Sequence, residues 1–222
     1  MFHILRGVLR GLNNSRHFSL FFEWFYPTYF GTIIEGALNA FYEDDEVVLT
    51  VFKFLTELVL SRNGRMKFET WSINGLIVFK ETAKYVVQLL QLWDCFNNKA
   101  IKNDVYKEKW KHIKIICALY YNMIAGNYVN YAICEYYNDS VFTHLSQMVF
   151  TSITAQDYKQ LASYEKVYRK AFMVFQHFFT THQELMFLKF DGNLIEKMLL
   201  LLVQGMEESS FDIQADCCGC IN

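Results

Sequence analysis

Apolar residues recur along this chain at helical spacing, and short polar segments separate the apolar runs. Between residues 46 and 61 the apolar positions follow steps of four, three and one, which is the 3.6-residue period of an α-helix. Residues 27 to 42 form a second apolar stretch, and the acidic run Glu43 to Glu46 lies between the two. Pro27 suits a first helical turn, and acidic side chains complement the dipole at a helix start. The pattern predicts an antiparallel helix hairpin.

The second helix of this hairpin is predicted to bury one stripe of side chains. Lys53, Thr56 and Glu57 fall on the opposite side, which we expect to face solvent. The stripe consists of Val47, Val48, Val51, Phe52, Leu55, Leu58 and Val59.

The same period recurs along the whole chain, and polar segments at 62 to 72 and 94 to 104 predict loops. The pairs return at irregular spacing, in places near the ~40–47 residues of HEAT-type repeats. We therefore predict an all-α fold, a right-handed α-solenoid of HEAT/armadillo-like antiparallel helix pairs, with about five pairs. A compact helical bundle is the alternative, since it would give a similar pattern. The predicted helices are 2–12, 17–26, 27–42, 46–61, 74–93, 105–125, 128–137, 141–151, 163–181, one from Asp191 or Gly192, and one from Phe211.

Composition agrees with a helical, non-membrane protein. The chain has 222 residues, 53% of them hydrophobic, with one proline and ten glycines, which disfavours a turn-rich β fold. The formal net charge of −2 gives no global field toward nucleic acid or anionic lipid. No apolar run approaches the roughly 20 residues of a spanning helix, so we expect no membrane insertion. The six cysteines form no secreted disulfide pattern, which favours a reducing compartment.

Two short segments could bear chemistry, and each has a structural alternative. Cys217, Cys218 and Cys220 could hold a soft metal, but zinc prefers four ligands, so we expect a small-residue helix contact. The basic run Lys107 to Lys114 could contact nucleic acid, although a solvated face with Trp110 in the core explains it better. The histidines, serines and glycines match no catalytic or phosphate-binding motif. We therefore predict no catalytic residue, no cofactor and no metal.

The loop from Ser61 to Gly75 is the candidate contact surface for a partner. Arg62, Arg65 and Lys67 lie beside Trp71, and basic groups next to aromatic rings can dock an acidic partner. The alternative is an internal linker whose aromatic residues pin it to the neighbouring helices.

Five stretches also match a family pattern in order. They are FEWFYP at Phe22–Pro27, TELVLSR at Thr56–Arg62, NGLIVFKET at Asn74–Thr82, GNYVNY at Gly126–Tyr131 and CCGCI at Cys217–Ile221. Together they resemble the importin-β superfamily of nuclear transport receptors, and within it the exportin-7 family.

The resemblance implies a function. It implies carriage of protein cargo through nuclear pores, dependent on Ran-GTP, with contacts to nuclear pore proteins and shuttling between nucleus and cytoplasm. It also implies that residues 1–222 are one partial HEAT-repeat array, truncated at both ends relative to the family. Such a piece would bind Ran-GTP weakly or not at all. It would also expose Leu201, Ile213 and Ile221, and so self-associate.

Two rival functions remain open from the sequence. One is a HEAT-type scaffold outside nuclear transport, which Ran-GTP-dependent binding would exclude. The other is an all-α enzyme with an unrecognised site, which a deep pocket of convergent polar groups would favour.

Overall fold

The structure, a computed structural model, describes residues 1–69, 71–97, 105–207 and 211–221. These residues contain no β-strand, so the predicted all-α fold is confirmed. None of the helices in this part of the chain is long and apolar enough to cross a membrane. The helices are α1 Phe2–Gly11, α2 Ser15–Phe25, α3 Gly31–Ala40, α4 Asp45–Leu58, α5 Asn74–Asn97, α6 Val105–Ala125, α7 Ala132–Tyr136, α8 Val141–Thr154, α9 Tyr158–Ser163, α10 Glu165–Thr181, α11 Gln183–Lys189, α12 Gly192–Met206 and α13 Phe211–Ile221.

The chain forms two compact units. Unit 1 contains Met1–Thr82 and Ala125–Asn130, and unit 2 contains Ala83–Ile124 and Tyr131–Asn222. The predicted single right-handed array of about five hairpins stays a prediction.

Helix α4 is the centre of unit 1, because both α1 and α3 pack against it. The predicted hairpin of α3 and α4 is therefore present, whereas α1 makes its main contact with α4 and not with the neighbouring α2. Being covered on several sides, α4 buries more than one stripe. Asp44 caps its start, where the carboxylate accepts hydrogen bonds from the Glu46 and Val47 amides at 3.0 and 3.2 Å. The buried residues of α4 are Val48, Leu49, Val51, Phe52, Phe54, Leu55, Glu57 and Leu58.

The predicted helix start at Pro27 is wrong. Helix α2 continues through a π-helical turn, Tyr26–Phe30, directly into α3, so the backbone is helical from residue 15 to residue 40. Pro27 offers no N–H to the helical ladder, and a wide π turn is one way in which a helix accommodates such a break. Three phenylalanines of this segment face inward, since Phe22, Phe25 and Phe30 are each 1% exposed.

Unit 2 has an aromatic core beneath α8, α10 and α12. The Phe150 ring lies 5.1 Å from the Phe175 ring and 4.8 Å from the Phe178 ring. Trp110 is buried and stacks on Tyr164 at 5.0 Å, while Lys111 and Lys114 are exposed. The interpretation of a solvated face with Trp110 in the core is therefore supported.

The terminal helix α13 packs on α10 and α12 through small residues, as the sequence indicated. Cys217 and Cys220 are buried, whereas Cys218 is exposed. Gly205 of α12 leaves space for the Cys217 sulfur, since a Cβ atom at that glycine would collide with it. Within the described residues, no group of three or more His, Cys, Asp or Glu side chains is placed to hold a metal ion.

The expected exposure at this end of the chain is wrong. Leu201 and Ile213 are buried, because α12 and α13 pack against each other. The side chain of Ile221 lies outside the described residues. Helix α12 instead exposes Leu199, Leu200 and Val203.

Three short helices differ from the prediction for the same physical reason. Helix α7 covers only Ala132–Tyr136, inside the expected helix 128–137. Helices α9 and α11 were not predicted. Each of these helices has at most seven residues, so its apolar period cannot repeat within it.

Candidate functional site

The loop after α4 alternates between buried and exposed side chains. Arg65 and Met66 are fully buried, whereas Arg62, Lys67 and Trp71 are exposed. Trp71 is the most open of these, with 81% of its surface accessible. The loop is thus both an internal linker and an exposed surface, with different residues in each part.

Of the four predicted contact residues, Arg65 is placed where a partner cannot reach it. None of its surface is accessible, and its guanidinium is engaged inside unit 1. The positive charge of Arg65 suggested an exposed position, but its side chain makes its contacts inside unit 1. Arg62, Lys67 and Trp71 stay candidates for partner contact.

The internal task of Arg65 is to satisfy carbonyl groups at the ends of two helices. The guanidinium donates to the oxygens of Leu9 and Leu12 at the end of α1, and to those of Glu57 and Leu60 at the end of α4. The last carbonyls of a helix have no partner within it, and positive charge at a helix end complements the dipole. Arg65 therefore fastens α1 to α4 at their C-terminal ends.

Glu57 supplies the counter-charge. Its carboxylate lies 3.6 Å from Arg65, 3.0 Å from Arg62 and 3.3 Å from Arg10. Burial lowers the pKa of Arg65, and the charge of Glu57 opposes that shift. Burying the ion pair is costly unless the remaining hydrogen bonds are made, and here the helix carbonyls make them.

The expectation that Glu57 faces solvent is wrong, since only 5% of the residue is accessible. Periodicity placed it opposite the apolar stripe, which is correct for its neighbour Lys53. One signal for a special role of Glu57 was present: Glu57 and Arg62 both lie in the family-like stretch Thr56–Arg62.

The loop is fastened to α2 by Phe68. The Phe68 ring lies 6.0 Å from the Phe18 ring and 6.3 Å from the Phe22 ring. The Arg65 guanidinium also lies over the Phe18 ring, 5.3 Å from the ring centre. Phe68 thus fulfils the linker interpretation, whereas Trp71 does not.

Three of the family-like stretches meet in unit 1. Asn74 donates to the Glu23 carboxylate at 3.0 Å, and Tyr26 donates to Glu81 at 3.3 Å. These bonds join the stretch at Phe22–Pro27 to the stretch at Asn74–Thr82. Tyr128 belongs to the third of these stretches. Its carbonyl oxygen approaches Gly75 so closely that a Cβ atom at Gly75 would collide with it. The stretches are therefore neighbours in space as well as ordered in sequence.

The surface beside these contacts also exposes residues that the sequence did not single out. Leu20 and Trp24, one turn apart on α2, are 58% and 59% exposed, and Ile73 is 67% exposed. Trp24 lies next to Glu23, and Ile73 next to Asn74, so the Glu23–Asn74 bond brings the two exposed segments together.

A polar cavity of about 630 Å³ lies in unit 2, between α9, α10 and α13. Three of its charged groups form ion pairs: Arg169 lies 3.0 Å from Glu165 and 3.3 Å from Asp212. These ion pairs are half-exposed, and such pairs contribute little to stability. They link α10 to α13.

Comparison with known proteins gives relatives of one kind. Exportin-7 of Dictyostelium discoideum is 32% identical over 124 residues, which are 56% of this chain and 12% of that protein. Ran-binding protein 17 of Homo sapiens is 30% identical over 129 residues, 56% of this chain and 11% of that protein. Exportin-7-B of Xenopus laevis is 23% identical over 224 residues, 98% of this chain and 20% of that protein.

These relatives confirm the resemblance noted from the sequence: the chain is similar to exportin-7 and Ran-binding proteins. It spans about a fifth or less of the length of these relatives. None of the three names describes an enzyme. No family model and no solved structure matches the chain.

The first prediction concerns Arg65. Replacing it with Met keeps the volume but leaves Glu57 buried with less compensation and the helix carbonyls without donors. We expect Arg65→Met to lower the free energy of unfolding by about 3–5 kcal/mol. The exposed control Lys67→Met should change it by less than about 0.5 kcal/mol. Denaturant unfolding measures both. Equal stability of the two variants would contradict the role assigned to Arg65.

The second prediction concerns Gly75. Gly75→Ala places a methyl group against the Tyr128 backbone and should lower the free energy of unfolding by about 1–3 kcal/mol. Gly36 is the matched control, because it also lies in a helix but no atom comes within 4 Å of a Cβ built there. Gly36→Ala should raise stability by about 0.5–1 kcal/mol. If thermal unfolding shows the same change in both variants, the close approach at Gly75 does not exist.

Proposed function

We propose that this chain is a segment of an exportin-like nuclear transport receptor, which carries protein cargo through nuclear pores in a Ran-GTP-dependent way. Its partners are protein cargo, Ran-GTP and nuclear pore proteins, and the receptor shuttles between nucleus and cytoplasm. The action is binding and release, with no covalent chemistry.

The observation that supports this proposal best is the extent of the similarity. The match to Exportin-7-B runs through 98% of this chain, so it is not confined to one local stretch. The stretches with the family-like pattern also make specific contacts in unit 1, at Glu23–Asn74, Tyr26–Glu81 and Gly75–Tyr128. Contacts of this kind preserve an arrangement of helices.

The proposed mechanism uses the stacking of helix pairs. In repeat arrays each pair contacts only its neighbours, so small rotations between pairs change the curvature at low cost. Cargo and Ran-GTP can then favour the same curvature, and each raises the affinity for the other by that differential binding.

We assign the exposed part of the loop to partner contact. Lys67 and Trp71 project from a loop whose base is held by Arg65 and Phe68, so the contact residues stand on a fixed support. Arg62 lies at the edge of this surface, and its side chain is 41% exposed although it pairs with Glu57. A fixed base lowers the entropy lost on binding.

The third prediction tests the function. The full-length product of the gene, of which this chain is a segment, is expressed with an affinity tag and exposed to Ran loaded with a non-hydrolysable GTP analogue or with GDP. We expect capture of the GTP form to exceed capture of the GDP form by at least about tenfold, as a coupling of about 1.4 kcal/mol requires. Equal capture of both forms, or none, would favour the scaffold outside nuclear transport.

The fourth prediction tests the loop surface. Lys67→Ala with Trp71→Ala should reduce GTP-dependent capture of partners about tenfold or more, because an exposed Trp beside a cation is typical of a binding hot spot. The control is Lys53→Ala with Phe41→Ala, which removes one exposed cation and one exposed ring elsewhere on unit 1. Added salt should weaken binding in the parent protein more than in the loop variant. An unchanged loop variant would leave the segment as a linker only.

A further inference from the structure

A second surface, in unit 2, has the composition of a binding site. A cavity of about 340 Å³ opens between α7 and α11. It lies apart in sequence from the loop after α4, and of its lining residues Tyr131 is the last residue of the family-like stretch Gly126–Tyr131. Its lining consists of Tyr131, Ala132, Glu135 and Phe142, together with residues 180–185.

The aromatic wall of this cavity is fixed in place. The Tyr131 ring stacks on the buried Phe142 ring with centroids 4.1 Å apart, and the Tyr131 hydroxyl donates to the Met123 carbonyl at 2.7 Å. The His182 ring stands edge-on to both, at 5.4 and 5.0 Å. Tyr131 is half-buried, so part of its ring is open to a ligand. A wall held from behind costs little entropy on binding.

The charges at the cavity have one sign. Glu135 and Glu184 are both exposed at its rim, and none of the described lining residues is Lys or Arg. Burial, with a smaller contribution from His177, lowers the pKa of His182 to about 4. The imidazole is therefore neutral near pH 7 and does not repel a cation.

Exposed apolar residues flank the cavity on both sides. Tyr136 is one helical turn beyond Ala132 on α7 and is 82% exposed. Phe187 and Leu188 are one turn beyond Gln183 and Glu184 on α11, and they are 66% and 78% exposed. Residues four apart share a helix face, so these side chains border the cavity. Exposed apolar side chains grouped beside polar residues are typical of an interaction surface.

We propose that the α7–α11 cavity binds a protein segment that presents an arginine or lysine side chain next to an apolar side chain. The positive head lies between Glu135 and Glu184, and its stem packs along Tyr131. The neighbouring apolar side chain lies against Tyr136 or Leu188.

Charge complementarity selects this occupant. Two carboxylates favour a cation, and an aromatic ring adds a cation–π attraction. Arginine suits the site better than lysine, because a planar guanidinium can bond a carboxylate and stack on a ring at once. An anionic segment is disfavoured by the same carboxylates. A purely apolar segment would leave their charges unused.

The experiment uses a fluorescent peptide, acetyl-Gly-Leu-Arg-Leu-Gly-amide, titrated with the 222-residue chain and followed by anisotropy. Its control is the same peptide with citrulline in place of arginine, which has nearly the same shape but no charge. We expect the arginine peptide to bind with a Kd below about 1 mM, and the citrulline peptide at least about tenfold more weakly.

Two variants locate the binding. Glu135→Gln combined with Glu184→Gln should weaken arginine-peptide binding about tenfold and leave citrulline-peptide binding unchanged. The matched control is Glu196→Gln with Glu207→Gln, which removes two exposed carboxylates outside the cavity lining. All these positions are exposed, so the variants should fold, and circular dichroism checks that they do.

Three outcomes would overturn the proposal. They are no binding of the arginine peptide up to about 1 mM, equal binding of both peptides, or equal loss in the two double variants. Equal binding of both peptides that falls on Leu188→Ala would identify an apolar docking surface instead.

Discussion

The buried guanidinium of Arg65 is the constraint on which the structure of unit 1 depends. It donates hydrogen bonds to carbonyl groups at the ends of α1 and α4, and it pairs with the carboxylate of Glu57. An unpaired charge at this depth would be expensive, so the helix ends, Glu57 and the loop must take their places together. The same residue also lies over Phe18 and thereby touches α2. One side chain thus sets the positions of three helices and of the loop that bears Lys67 and Trp71.

Much of this helical framework could be predicted from the sequence. The apolar stripe of α4 is buried as expected, apart from the half-buried Val47, because a 3.6-residue period has to face a core. The acidic run lies at the start of α4 as expected, and Asp44 within it caps the helix. These features are local, because each depends on residues within a few turns of one another. The pattern of apolar and polar residues is therefore enough to predict them.

The features that could not be predicted depend on distant partners. Glu57 is buried because Arg10, 47 residues away, and the later Arg65 both reach it, and no spacing within α4 announces them. The helical path through Pro27 likewise depends on inward packing of Phe25 and Phe30, which outweighs the tendency of proline to begin a new helix. In the candidate contact loop, three basic residues beside one tryptophan suggested four residues for partner contact. Arg65 differs from the other three in the structure, because its guanidinium bonds to the carbonyl groups at the helix ends.

The similarity to exportin-7 and Ran-binding proteins can be located on this framework. The stretches that suggested it contribute Tyr26, Asn74 and Gly75, which join elements of unit 1 to one another. Such residues preserve an arrangement of helices. The contacts proposed for partners use instead exposed side chains such as Trp71 on the loop or Glu184 on α11, which take no part in joining these elements. A helical framework built in this way can keep one arrangement while its exposed positions change.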